Sequence, residues 1–134
     1  MCTTNFAYLF RVLGLLTCFG TAVGQHMNAN NAPCQGTGPA AAATQCFVSE
    51  SQSADKELSS VLVELRKVLT IADRRSLQVA QSLWLQFRDA NCAAERGLYR
   101  GGSAAPAVYY ACIAADTRHR TAELNTMYGW RLRK

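Results

Sequence analysis

From Leu58 onward the apolar positions of this chain recur at intervals of three and four residues. Leu58, Val61, Leu62, Leu65, Leu69 and Ala72 share one face of a helix. Ser49 and Gln52 have the spacing of a capping box at its start. Thr70 or Asp73 can cap the helix that follows. In that second helix Leu77, Ala80, Trp84, Phe87, Asn91, Ala94 and Leu98 alternate by three and four without a break, marking one face. The stretch "YRGGS" then interrupts the period with two glycines. Beyond it Ser103 is a plausible N-cap and Pro106 suits a first turn, where its missing N–H costs nothing. Val108, Cys112, Ala115, Ala122, Leu124 and Met127 continue as a third, less regular helix. Two-residue alternation and β-branched runs are nearly absent. The pattern predicts an all-α fold, a small three-helix bundle built on an antiparallel helical hairpin.

Upstream the pattern is different. Residues 25–48 open with Asn, Ala, Gly and Pro in "QHMNANNAPCQGTGPAAAAT", which offers little to bury and is expected to form an irregular lead-in tethered by cysteine, with the helical domain spanning 49–134. Residues 1–24 read as a secretory signal: one charge, Arg11, precedes an apolar run from Val12 to Phe19, and "AVG" ends it with small residues. The run is too short to span a bilayer, and no transmembrane span is expected in the mature chain. Retention as an uncleaved anchor and lipidation at Cys18 are the competing readings. Leu16 and Thr17 match a lipoprotein peptidase poorly. The expected location is periplasmic or secreted.

Cleavage after Gly24 removes 24 of the 134 residues, leaving 110, which is one domain with a modest core. It also removes Cys2 and Cys18, so Cys34, Cys46, Cys92 and Cys112 remain. An even cysteine count in a small exported chain points to two disulfides, and four thiols allow three pairings. Symmetry about the turn favours one of them. Cys92 and Cys112 are equidistant from Gly102, as facing residues on two antiparallel helices must be. A bridge there closes a loop of about twenty residues and stabilises by about 3 kcal/mol. Cys34 is then left to pair with Cys46. By the same symmetry Arg88 faces Asp116 as a candidate ion pair, and Trp84 faces Arg120, whose guanidinium can stack on the indole.

Charge narrows the functional classes. The formal net charge is +5 and falls to +4 without Arg11, but the basic residues are scattered singly or in pairs. No basic stripe interleaved with aromatics is present, so nucleic acid is not an expected partner. No metal is expected: there is no C-x-x-C, and His26 and His119 lie far from any cysteine pair along the chain. No cofactor or catalytic set is expected either. His119 lacks a partnered nucleophile, Ser103 lacks a local base, and the Asp116–His119 spacing suits a surface contact. Metal-hydrolase and phosphate-binding motifs are absent.

The segments "QSLWLQFRDANC" and "GGSAAPAVYYACIAADTRHRTAEL" resemble the signature of the LprI-like lysozyme-inhibitor family of small exported bacterial domains. The matching residues are Gln81, Trp84, Phe87, Arg88, Asp89, Cys92, Gly101, Gly102, Ser103, Cys112, Thr117, Arg120, Glu123 and Leu124. The likeness is dense from Ala80 to Leu124. Upstream, "ADKELSSVLVELRKVL" resembles the family's first helix but lacks its usual Asn and Tyr positions. The motif residues, with Asp116, read as scaffold for a stapled hairpin.

The resemblance implies an exported inhibitor that binds a lysozyme and protects bacterial peptidoglycan. Lysozymes cut with paired carboxylates in a cleft, and the projecting element here is the turn, where Arg100 and Ser103 can donate hydrogen bonds. The basic balance, with a pI of about 9.1, opposes long-range approach to a cationic lysozyme. Glu50, Asp55, Glu57 and Glu64 are the only acidic cluster, spread along one helix. The alternative is a non-catalytic envelope module that binds another exported protein or an anionic surface polymer, in which the basic tail "WRLRK" would take part. The sequence does not fix an oligomeric state.

Overall fold

A computed structural model of the chain describes residues 26–133. The expected signal segment and Cys18 lie outside the described residues. Three long helices follow one another: α1 (Ala40–Val68), α2 (Ile71–Gly97) and α3 (Ala105–Leu132). Among the described residues there is no strand, and no helix is long and apolar enough to cross a membrane. The chain is an all-α bundle carrying two disulfides, Cys34–Cys46 and Cys92–Cys112.

The first helix starts earlier than its composition suggested. Pro39 occupies the N-cap and the helix propagates directly from Ala40 through an alanine run, the best helix-forming residue type. Residues 40–48, expected in the irregular lead-in, therefore belong to α1. Ser49 is not a cap: its hydroxyl donates to the Gln45 carbonyl within the helix. Arg66 and Lys67 in the last turn complement the helix dipole before the chain extends at Leu69. Thr70 then caps α2 by accepting from the Asp73 amide at 3.2 Å, and its own hydroxyl donates to the Asp73 carboxylate at 2.7 Å. For α3 the N-cap is Ala104 and not Ser103, and it makes no side-chain cap bond. Pro106 does sit in the first turn.

The third helix is central, packed against both α1 and α2. Its first half is buried on nearly every side, through Ala105, Ala107, Val108, Ala111, Cys112, Ile113, Ala114, Ala115 and Thr117. So many alanines let neighbouring backbones approach closely. Against α1 the seam is mainly apolar, crossed by the Glu50–Arg118 ion pair. Phe47 packs with Ala107 and Ala111, and Leu58, Leu65 and Leu69 join Leu77 and Leu124 in a second cluster. Ala122 and Met127, counted into the third helix by their spacing, are exposed.

On α2 only Leu77 and Trp84 of the apolar stripe turn inward. Ala80, Phe87, Asn91, Ala94 and Leu98 are exposed, while the side turned inward runs Leu77, Gln81, Trp84, Arg88, Cys92, Glu95 and Tyr99. Only Leu77 and Cys92 of this helix are fully buried. Its contact with α3 is made largely by polar groups, and that seam carries most of the residues singled out in the sequence.

Candidate functional site

The inward face of α2 meets α3 in a ladder of specific contacts. At one end the Arg120 Nε donates to Gln81 Oε1 at 3.1 Å, and its Nη1 pairs with Glu123. The guanidinium also lies 5.9 Å from the Trp84 ring centre, the stacking expected from the turn symmetry. Arg88 covers the same indole at 5.2 Å, so Trp84 lies within cation–π reach of two arginines. Arg120 is the one buried charged residue among the described residues, and this set of partners compensates its removal from water.

Arg88 departs from its expected partner. It binds Asp55 of α1 at 3.1 Å, the buried Thr117 hydroxyl at 3.0 Å and the adjacent Asp89, but not Asp116. The helix register is as the symmetry predicts at Cys92–Cys112 and Trp84–Arg120, but the guanidinium reaches the next residue, Thr117, and across to Asp55. Asp116 instead accepts from Asn91 Nδ2 at 3.1 Å. Next to that bond comes the Cys92–Cys112 bridge, both of whose residues are fully buried. Beyond it Arg96 lies over the Tyr109 ring at 5.4 Å. Leu124 is buried in the apolar cluster, whereas Phe87 is 63% exposed. His119 is exposed and shares a shallow depression with Trp84, Phe87 and Glu123, without pairing to Asp116.

Several contacts had no signal in the sequence. The lead-in folds back across the hairpin: His26 Nδ1 donates to Glu95 Oε2 at 2.7 Å, its Nε2 lies 3.9 Å from Asp116, and Asn28 bonds the Tyr99 hydroxyl. His26 is thus far from Cys112 along the chain but beside it in the fold. The sulfurs are committed to the disulfide and are not free as ligands. Glu50 pairs with Arg118 as Asp55 does with Arg88, so two of the four acids of α1 act as internal ties. Such long-range pairings leave no trace in local spacing.

The hairpin turn closes the ladder. Successive hydrogen bonds tighten it, from the Tyr99 amide to the Arg96 carbonyl, from Arg100 to Gly97, and from Gly102 to Tyr99 at 2.8 Å. Arg100 adopts φ +47°, a left-handed conformation that costs a non-glycine residue about 1 kcal/mol, and Gly101 follows at φ +75°. A Cβ on Gly102 would meet the Tyr99 carbonyl at 3.2 Å. Arg100 and Ser103 are both exposed, and they border an open groove of about 740 Å³ with Arg96, Pro106, Tyr109 and Tyr110. The arrangement offers hydrogen-bond donors and aromatic surface on a braced tip.

A family model described as "Lysozyme inhibitor LprI" matches residues 31–124, which include both disulfides, the polar ladder and the turn. An uncharacterized protein of Rhizobium meliloti (strain 1021) is 35% identical over 80 residues, 60% of this chain and 54% of the relative. The chain thus spans about half the length of that relative. No solved structure matches. Because the family model covers well over half of the sequence, the chain belongs to the LprI lysozyme-inhibitor family.

Proposed function

We propose that this protein is exported, binds a lysozyme and protects peptidoglycan by placing the α2–α3 turn in the enzyme's cleft. The family membership supports the class of partner. The observation that carries the choice of element is the braced turn, with Arg100 held in a left-handed conformation at the tip of a disulfide-closed hairpin. Arg100 can donate to the cleft carboxylates in the bidentate manner of a guanidinium, and Ser103 adds a second donor close by. A tip ordered in advance loses little entropy on binding. Two disulfides fit an oxidising compartment outside the cytosol.

Charge sets the expected salt response. Glu50 and Asp55 are engaged with Arg118 and Arg88, which leaves less acid to attract a cationic enzyme. Approach is therefore slowed by like charge, and raising salt from low to physiological should speed association. Lysis of a peptidoglycan suspension by a cationic lysozyme should slow when the oxidised protein is added. Replacing both Arg100 and Ser103 by Ala should weaken inhibition on the order of tenfold or more while the fold persists. Undiminished lysis at both salt levels would remove the lysozyme reading.

The envelope-module reading draws on the basic end of α3, where Arg131 lies over the half-exposed Trp130 at 4.3 Å. Binding to an anionic polymer would weaken as salt rises, the opposite response.

A further inference from the structure

The outward face of α2 is unusual for a solvent-exposed helix. Ala72, Ser76, Val79, Leu83, Gln86 and Ala90 are all exposed and follow one another at alternating intervals of four and three. That is the spacing of a coiled-coil seam, and no charged residue lies on it. Val79 and Leu83 are each 62% exposed, and Phe87 flanks them. A solvated face of this length ordinarily carries charges; here they are displaced to its margin, where Arg75 and Asp89 stand equidistant from Ser82.

We propose that this face pairs with the same face of a second copy of the chain, antiparallel about a twofold axis near Ser82. The charges choose the occupant and the direction. Antiparallel pairing brings Arg75 beside Asp89 of the second copy, and the symmetry makes the contact twice. The same register sets Val79 against Leu83 and Ser76 against Gln86, the polar layer fixing alignment within an otherwise apolar and small-residue seam. Parallel pairing would instead face Arg75 with Ala80 and Asp89 with Ala94, gaining no charge contact. Asp89 is accessible for the contact, with 57% of its side chain exposed although it touches Arg88, and Arg88 retains Asp55 and Thr117. The face adjoins the ladder only at its margin, where Asp89 touches Arg88, and owes nothing to the proposal about lysozyme.

Sedimentation equilibrium of the oxidised full-length protein tests this, taken to about 200 µM because a single-helix seam lies at the small end of specific interfaces. A reversible monomer–dimer equilibrium is expected. Leu83→Arg should abolish it with unchanged helical circular dichroism, since Leu83 contributes little to the monomer's core. Arg75→Glu and Asp89→Arg should each weaken the dimer on the order of tenfold, and the double exchange should restore it to within about threefold of the parent. A protein that stays monomeric throughout, or a double exchange no better than its single members, would overturn the proposal. If Leu83→Arg instead abolished binding to lysozyme by a monomeric protein, the face would belong to that partner and the second copy would be excluded.

Discussion

The two seams of α3 are built on different physical principles. Against α1 the contact is mainly apolar and close-packed, with Phe47 on Ala107 and Ala111, then Leu58 and Leu65 with Leu124, and the Glu50–Arg118 ion pair spans it. Against α2 it is a sequence of directed contacts, from Gln81–Arg120 through Trp84, Arg88–Thr117 and Asn91–Asp116 to the disulfide. The first seam tolerates small shifts, because dispersion and burial are non-directional. The second has one register, because a displaced hydrogen bond leaves a partly buried group without a partner. A helix can therefore be held firmly through a largely polar face while apolar residues such as Val79, Leu83 and Phe87 point to solvent, as on α2.

The largest expected effect lies in the apolar seam. Phe47→Ala should destabilise by about 4 kcal/mol, as for large aromatic truncations in a core, with no change in salt dependence. Denaturant unfolding at two ionic strengths measures both. Should Phe47→Ala cost no more than an exposed substitution, α1 does not pack as described. Replacing Cys92 and Cys112 together by Ala should cost about 3 kcal/mol, chiefly by freeing the unfolded chain. The native ladder should persist near its original register, which hydrogen exchange at α2 amides would report. A smaller effect, about 2 kcal/mol, is expected for Arg120→Met. Gln81→Met should cost less, and the pair of changes should be clearly non-additive, whereas Phe47→Ala and Arg120→Met should add. Additivity within the Gln81–Arg120 pair would reduce the ladder to a set of independent surface contacts.

The same division explains what the sequence disclosed. Helix α1 was legible from Leu58 to Leu69 because its buried face is apolar, and the turn at Thr70 because its capping chemistry is local. The Cys92–Cys112 bridge was legible in the symmetry about Gly102, and Cys34–Cys46 was the pair then left. The start of α1 was hidden because alanine forms helix without carrying a hydrophobic signal. Periodicity located α2 as a helix but did not reveal which way it faces, since Gln81, Arg88 and Glu95 are turned inward by partners far away in sequence. Arg88 stands out in the motif, but its partners Thr117 and Asp55 differ from the Asp116 that the turn symmetry indicates, because a long guanidinium can reach past the facing residue. The turn bearing Arg100 and Ser103 was visible as a break in the pattern. The groove beside it was not, because Tyr109 and Tyr110 join it only through the hairpin fold.

The up-down-up course of the helices has a practical corollary for handling the molecule. His26 and Asn28 anchor the lead-in near the end of α2, beside the turn, whereas α3 ends at the far pole with Leu132. A linker attached ahead of His26 starts at the pole that carries the turn, because His26 and Asn28 contact Glu95 and Tyr99 there. A linker attached after Arg133 leaves that pole clear. Immobilising the protein on a sensor surface by each terminus in turn would therefore present opposite poles to the same analyte.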